Sequence, residues 1–309
     1  MINRDHVVWA YRLLLDRDPE SEDAILPKLR AWKTTPELRA DLMSSEEFRL
    51  KNPDRAATEE PTVVIKPLAS GARLFIDLSD HVIGLGILRG TYEQHELAFA
   101  KSVVHQGDVA VDIGAHIGFF TIELAQTVGA RGHVYAFEPL PSNAALLEQS
   151  IRENYYESRV TLERSAVSDR SGTATLRYAA HSLNTGGAFL SEGSVEGLGA
   201  LSASTVRTVR LDDYNLRRPV RLIKMDVEGA EPSVIAGARA LIARDRPVVV
   251  SEVHPEQLRR VSSCSPADFV QRLSALGLHP HRIEGGRLGE RVSATWINDV
   301  TTLAFVSAE

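Results

Sequence analysis

Val111-Asp112-Ile113-Gly114-Ala115-His116-Ile117-Gly118-Phe119-Phe120 reads as a buried strand that runs into a glycine turn and then a helix. Val109, Val111 and Ile113 supply the strand, Gly114 and Gly118 let backbone approach a ligand closely, and Phe119 to Leu124 begin a helix whose free N–H groups face the turn. Twenty positions beyond Gly118, a second apolar run, Val134-Tyr135-Ala136-Phe137, ends in Glu138, where a carboxylate would hold a ribose diol. Strand, glycine turn, helix, strand and acid together predict the nucleoside-binding half of a doubly wound α/β sheet.

The glycine spacing decides which nucleoside is expected. Dinucleotide sites use G-x-G-x-x-G, so that a pyrophosphate rests on the helix end. Here the order is Asp112-x-Gly114-x-x-x-Gly118, and an acid ahead of the first glycine suits a cationic amino-acid tail better than a diphosphate. The pattern resembles the S-adenosylmethionine (SAM) site of class I methyltransferases. An NAD-dependent oxidoreductase would use the same sheet, but its three-glycine fingerprint is missing. A non-catalytic SAM or nucleotide sensor would keep the cradle without turnover.

With 309 residues, 43% of them hydrophobic, the chain can bury one large α/β domain and a small extra one. No stretch approaches the ~18 consecutive apolar residues of a membrane span. Met1-Ile2-Asn3-Arg4-Asp5 carries charges where a signal peptide needs an apolar run, which predicts a cytoplasmic protein. Cys264 is the only cysteine, so neither an internal disulfide nor a cysteine-rich metal site is expected. The formal charge of −6 gives no electrostatic footprint for nucleic acid. A nucleic-acid methylase is further disfavoured because no Asn or Asp precedes a Pro-Pro-aromatic run.

Ahead of the central motif, residues 1–60 read as a helical domain and linker, and residues 61–309 as the α/β domain. Val7, Val8, Tyr11, Leu14 and Leu15 line one helical face, and Leu38, Leu42, Met43 and Phe48 another. Asp16-Arg17-Asp18-Pro19 breaks the first helix, and Thr35-Pro36-Glu37 opens a later one with a cap and a proline at its first position. Val63 to Gly90 predicts a preliminary hairpin or edge sheet, and Glu96 to Val104 a helix. Beyond Glu138, Asn143 to Asn154 is an amphipathic helix and Val160 to Leu162 a strand that leads Ala166, Val167 and Asp169 to the same sheet edge. The polar insert from His181 to Ser204, with Ser182, Asn184, Thr185, Gly186 and Gly187, is long for a connection and suits a substrate-facing loop. Val220 to Met225 is a strand that delivers Asp226 and Glu228, on one side if the strand persists, and Pro247 to Ser251 another that delivers Glu252 and His254. A helix over Pro266 to Leu276 and two strands near Arg282 and Leu303 complete the sheet.

Taken in order, Val111 to Gly118, Phe137-Glu138-Pro139, Ala166 to Asp169, Leu211-Asp212-Asp213, Lys224 to Glu231 and Glu252-Val253-His254 resemble the FkbM family of SAM-dependent methyltransferases over roughly residues 75 to 305. The resemblance implies a seven-stranded class I methyltransferase fold, a Rossmann-like doubly wound sheet, and methylation of an alcohol oxygen. Carried over, it places Gly114 and Gly118 against the methionine part of SAM, Glu138 on the ribose hydroxyls, Asp169 near the adenine and Asp226 near the sulfonium. Asp112, Ala115, His116, Ala166 and Val167 complete the implied cofactor set. One departure is His116, where the family commonly has Asn. The head of the chain, Tyr11 to Pro19 with Ser44 to Arg49, resembles a short helical domain found beside polysaccharide-modifying enzymes.

An alcohol acceptor has to lose its proton, and a general base adds ~10²–10⁴ in rate. His254 at a strand end is the first candidate, with Asp226 or Glu228 as its orienter or substitute. The cluster Asp226, Glu228, Glu252 and His254 offers a second route, a hard divalent ion such as Mg²⁺ that polarises the hydroxyl. The expected acceptor is a sugar hydroxyl in a polysaccharide or glycoconjugate, with a polyketide or other small-molecule alcohol as the alternative. No nucleic-acid partner is expected, and the oligomeric state stays open, a homodimer being one option.

Overall fold

The computed structural model describes residues 2–32, 34–51, 63–78, 80, 82–178, 187–191, 202–217, 219–293 and 297–307. The chain divides into two compact units, Met1–Thr62 and Val63–Glu309. No helix among the described residues is long and apolar enough to cross a membrane.

The first unit is helical: α1 (Arg4–Leu15), α2 (Glu22–Ala31), α3 (Thr35–Ser44) and α4 (Glu46–Lys51). Asn3 caps α1 by accepting from the His6 N–H at 3.0 Å, while the His6 ring accepts from the Asn3 N–H, so two otherwise orphaned donors are satisfied together. Val7, Tyr11 and Leu15 recur at helical spacing and meet Ile25, Leu38, Leu42 and Phe48 in one small core. The two apolar stripes of the sequence are the two sides of that core.

The second unit opens with the antiparallel hairpin of β1 (Val63–Pro67) and β2 (Arg73–Asp77). The apolar residues that follow form a helix, α5 (Ile83–Arg89), where strands were expected up to Gly90. Asp80 decides this, because its Oδ1 accepts from the N–H groups of Val82 and Ile83 and starts a helical turn that Gly90 ends at φ +71°. After α6 (Gln94–Val103) come β3 (Val109–Ile113), α7 (Phe119–Val128), β4 (His133–Phe137), α8 (Pro141–Glu153) and β5 (Val160–Glu163). Every residue of β3 and β4 is buried, as strands covered by helices on both faces must be.

The chain then leaves the main sheet. Ala166–Val167 (β6) pairs with β9 (Ser202–Val209), which is joined to β7 (Gly172–Tyr178) and β8 (Phe189–Ser191) in a separate four-stranded sheet. The expectation that Ala166 to Asp169 end the β5 strand on the main sheet edge is therefore corrected. Their backbone is taken by β9 instead, with the Ser168 N–H donating to the Val209 carbonyl at 2.9 Å. Of the polar insert, residues 181–186 and 192–201, with Ser182, Asn184, Thr185 and Gly186, lie outside the described residues.

β10 (Val220–Met225), α9 (Glu231–Gly237), α10 (Arg239–Asp245), β11 (Val248–Val253), α11 (Pro255–Ser262), α12 (Pro266–Ser274), β12 (Leu278–Glu284), β13 (Arg287–Arg291) and β14 (Thr301–Ser307) complete the unit. The main sheet has the order β13-β12-β14-β11-β10-β3-β4-β5. Strands β11, β10, β3, β4 and β5 are parallel, and β14 is antiparallel to both its neighbours. This is the class I methyltransferase arrangement with one strand more than the seven implied, because β12 and β13 form a hairpin at the edge. Strand alternation splits the core: Ala110, Leu222 and Val250 face α6 to α8, and Val111, Ile223 and Val249 face α9 to α12.

The order reverses between β3 and β10, and there the backbones touch. A Cβ built on Gly114 would stand 1.9 Å from the Asp226 carbonyl oxygen, whereas one on Gly71, at a similar positive φ, meets nothing within 4 Å. Urea denaturation should therefore show a loss of about 1–2 kcal/mol for Gly71→Ala, from the left-handed backbone alone. For Gly114→Ala the expected loss is above about 4 kcal/mol, or no folded protein. Equal losses in the two variants would disprove the close contact.

Candidate active site

A crevice at the carboxyl ends of parallel strands opens where strand order reverses, because the connections leave β3 and β10 in opposite directions. The turn after β3 is held on both sides. The N–H groups of Gly114 and Ala115 donate to the Phe137 carbonyl at 3.0 and 3.1 Å, and the Asp226 N–H donates to the Ile113 carbonyl at 3.0 Å. His116 follows in left-handed backbone at φ +52°. Its N–H donates to Glu138 Oε2 at 2.8 Å, so the backbone serves Glu138 whichever side chain stands there. Its imidazole lines the crevice, neutral, because burial presses its pKa down to about 4.

The crevice encloses about 1210 Å³ when the solvent space of its open mouth is included. At one end stands Glu138, 5% exposed, whose Oε1 accepts from the Leu140 N–H at 2.8 Å. Each carboxylate oxygen keeps a lone pair for a further donor. Burial raises the Glu138 pKa to about 7, against the pull of those backbone N–H groups. Asn143, Ala166 and Val167 line the same end, and Leu176 and Leu190 of the small sheet, with Ala188 just ahead of β8, wall it with apolar surface.

At the other end the run Asp226-Val227-Glu228-Gly229-Ala230-Glu231 divides its labour. The strand stops at Met225, so alternation does not place Glu228; a left-handed turn does, with φ +57° at Glu228 and +98° at Gly229. Glu231 Oε1 ties that turn by accepting from the N–H groups of Val227 and Gly229 at 3.2 and 3.3 Å. Gly229 packs against the Gln257 carbonyl, where a Cβ would come within 2.4 Å. Asp226 and Glu228 both reach the cavity wall, joined by Glu252 from β11 and by Tyr92 and Glu93 ahead of α6. Neighbouring strand ends lie ~4.8 Å apart, so the wall from Glu138 beyond β4 to Glu252 on β11 runs roughly 14 Å.

Five carboxylates line this crevice, and among the described residues Lys224 is its one ammonium. Lys224 is 7% exposed, with Nζ 3.6 Å from Asp226 Oδ2 and 5.0 Å from the centre of the Phe120 ring. Burial alone would lower its pKa, but Asp226, Glu93, Asp112 and Glu252 outweigh burial and raise it. Burial, reinforced by neighbouring carboxylates, lifts Glu228 and Glu252 to about 8. Glu93 rises to about 7, mainly through burial, although Lys224 pulls the other way.

Of the expected site residues, Gly114, Ala115, His116, Glu138, Ala166, Val167, Asp226 and Glu228 line the cavity, and Asp112, Gly118, Asp169 and His254 do not. Asp112 is fully buried behind it and accepts from Thr121 Oγ1 at 2.6 Å, while its Oδ1 has no hydrogen-bond partner among the described residues. Gly118, at φ +96°, makes room for Leu147 rather than for a ligand: a Cβ there would meet Leu147 Cδ1 at 2.2 Å. Asp169 is exposed and accepts from Ser168. His254 is the N-cap of α11, its Nδ1 accepting from the Gln257 N–H at 3.4 Å.

The divalent-ion expectation is corrected as well. Among the described residues no three or more His, Cys, Asp or Glu side chains are arranged to hold a metal, so Mg²⁺ finds no ligand set in Asp226, Glu228, Glu252 and His254. His254 is drawn to its own helix, and Lys224 supplies the positive charge beside Asp226. Sequence reading passed over Lys224, Tyr92, Glu93 and Asn143. A lysine inside the apolar run Val220 to Met225 was a legible signal; Glu93 had none, since only packing brings α6 to the sheet.

Three solved structures are similar to this chain. A methyltransferase FkbM from Methylobacillus flagellatus is 16% identical over 96% of this chain and 58% of its own, under two thirds of its length, at a TM-score of 0.41. A putative rRNA-methylase from Clostridium thermocellum is 14% identical over 69% of this chain and 94% of its own, at 0.43. Aeropyrum pernix fibrillarin, in complex with SAM, is 14% identical over 79% and 94%, at 0.41. No curated protein matches the sequence. Residues 112–277, more than half of the chain and the stretch that carries the glycine turn, Glu138, Lys224 and Glu252, match the model of the methyltransferase FkbM domain, and the chain belongs to that family.

Proposed function

We propose that the protein transfers a methyl group from SAM to a hydroxyl oxygen of a sugar, in a polysaccharide or glycoconjugate. The observation that carries the reading is one crevice with a diol-accepting carboxylate, Glu138, at one end and a wall of carboxylates at the other. The residues present fit SAM: Gly114 lets the turn after β3 close against the Asp226 backbone at the cavity wall, Glu138 has lone pairs for two hydroxyls, and the excess of carboxylates suits a cationic cofactor. When bound, SAM supplies a methyl carbon activated by its sulfonium.

The chain's own part is to hold the acceptor and take its proton. Holding two reactants in line supplies ~7–11 kcal/mol, so positioning lowers the barrier more than proton removal does. Carboxylates accept hydrogen bonds from several hydroxyls at once, which supports a polyol at the Asp226, Glu228 and Glu252 end. Glu228 is the base of this proposal, with Asp226 beside it. Its Oε2 has no hydrogen-bond partner among the described residues, and a carboxylate that titrates near pH 8 can take a proton from an alcohol. His254, which caps α11, is released from that role. The resemblance of the helical head to modules beside polysaccharide-modifying enzymes supports the sugar. Leu176, Ala188 and Leu190 favour the runner-up, a polyketide or other small-molecule alcohol, but they pack with Leu140 and Ala166 at the Glu138 end.

Methyl transfer from labelled SAM should appear on nucleotide sugars or oligosaccharides in a panel that includes polyketide alcohols, with the linkage read by mass spectrometry. Label confined to polyketide alcohols, or to nitrogen, would overturn the sugar assignment. Glu228→Gln should lower turnover by ~10²–10⁴ with cofactor affinity kept, and His254→Ala should leave turnover near wild type; the reverse pattern would return the base to His254.

Cofactor binding should depend on pH through Glu138. Ribose hydroxyls donate to the ionised form, so bound cofactor lowers the Glu138 pKa from about 7. Affinity for S-adenosylhomocysteine is then full above pH 7 and falls as pH drops through 7. Calorimetric titration from pH 5.5 to 8.5 measures this, and the part of the fall that belongs to Glu138 should vanish in Glu138→Gln. An identical pH profile in the variant would rule out the diol contact.

A further inference from the structure

Strand alternation builds a polar layer at the carboxyl edge of the sheet, on the side that faces α6 to α8. Asp112 follows Ala110, Lys224 follows Leu222 and Glu252 follows Val250, each two residues beyond an apolar position on that face. Lys224 and Asp112 are register partners on adjacent strands. Titratable groups face Lys224 from the elements packed around it: Asp112 on β3, the neutral His116 in the turn, Glu138 beyond β4, Asp226 on its own strand end, Glu252 on β11, and Glu93 next to Tyr92 ahead of α6. Its position is fixed from two sides, by Asp226 Oδ2 at 3.6 Å and by the Phe120 ring at 5.0 Å.

We propose that Lys224 is a positioning residue of the methyl-transfer site, the fixed counter-charge that allows Glu93, Asp226 and Glu252 to be gathered at one end of the crevice with Asp112 buried behind them. The assignment rests on the reading of the crevice as that site. Lys224 touches no reacting atom in it. Its single buried ammonium offsets the mutual repulsion of carboxylates contributed by three strands and a helix start, and so keeps the acceptor wall in place.

The sign of the effect follows from linkage. Glu93 and Glu252 bind their protons more tightly in the folded chain than in the unfolded one, so unfolding releases protons and raising the pH favours unfolding. Lys224 moderates this by pulling both pKa values down. Lys224→Met should therefore already lie below wild type in melting temperature at pH 6, where the Asp226 contact is lost, and fall further below it toward pH 9. Adding Glu252→Gln to Lys224→Met should recover part of the loss at pH 9, because one repelling charge is gone. In parallel, the midpoint of the pH dependence of S-adenosylhomocysteine affinity should move up by roughly one unit or more in Lys224→Met.

A deficit of equal size at every pH that Glu252→Gln does not relieve would mean that Lys224 only fills space, and would overturn the proposal. If Lys224→Met gives no folded protein, folding regained in Lys224→Met/Glu252→Gln or kept in Lys224→Arg supports the counter-charge, and failure of both overturns it. Absence of S-adenosylhomocysteine binding in the wild-type chain would refute the cofactor reading. The melting series needs no cofactor and would still judge Lys224.

Discussion

The Asp226 carbonyl oxygen occupies the space where any side chain at position 114 would stand. This contact draws the end of β10 against the turn after β3, and the crevice is what remains between connections that leave those strands in opposite directions. Gly114 is required for two reasons that reinforce each other: its φ of +76° lies where a Cβ is strained, and the neighbouring backbone leaves no volume for one. The surrounding hydrogen bonds hold the same junction, Phe137 receiving Gly114 and Ala115 while Ile113 receives Asp226.

Charge is the second constraint. Removing one partner of a buried ion pair costs about 3–5 kcal/mol, since the remaining charge is left in a medium that solvates it poorly. Here one ammonium serves several carboxylates, so the fold carries a standing tendency to protonate them near neutral pH. That tendency also equips a wall to accept hydrogen bonds from hydroxyls and to take a proton from one. Glu231, outside the cavity wall, commits its carboxylate to the backbone of the Glu228 turn, and its burial lifts its pKa to about 7. The acidic run after β10 thus combines an electrostatic element, a positioned side chain and a loop tie within six residues.

What the sequence determined by itself is local: the strand, glycine turn and helix around Gly114, the acid at Glu138, the strands carrying Asp226 and Glu252, and the helical stripes of the first unit. These follow from side-chain periodicity and from residues whose backbone preferences are strong at short range. Tertiary structure decided the rest. Gly118 looked like part of the cradle, but α8 brings Leu147 against it. Asp169 was read into the sheet edge, but β9 took the backbone of β6. His254 sits at a strand end as expected, yet helix capping turns its ring to the Gln257 N–H, a competition between two uses of one side chain that spacing does not reveal. Lys224 stands out in the sequence as a charge within an apolar strand, but its meaning depends on Asp112, Glu93 and Glu252, residues far apart in the chain that only the assembled sheet and the packing of α6 bring around it.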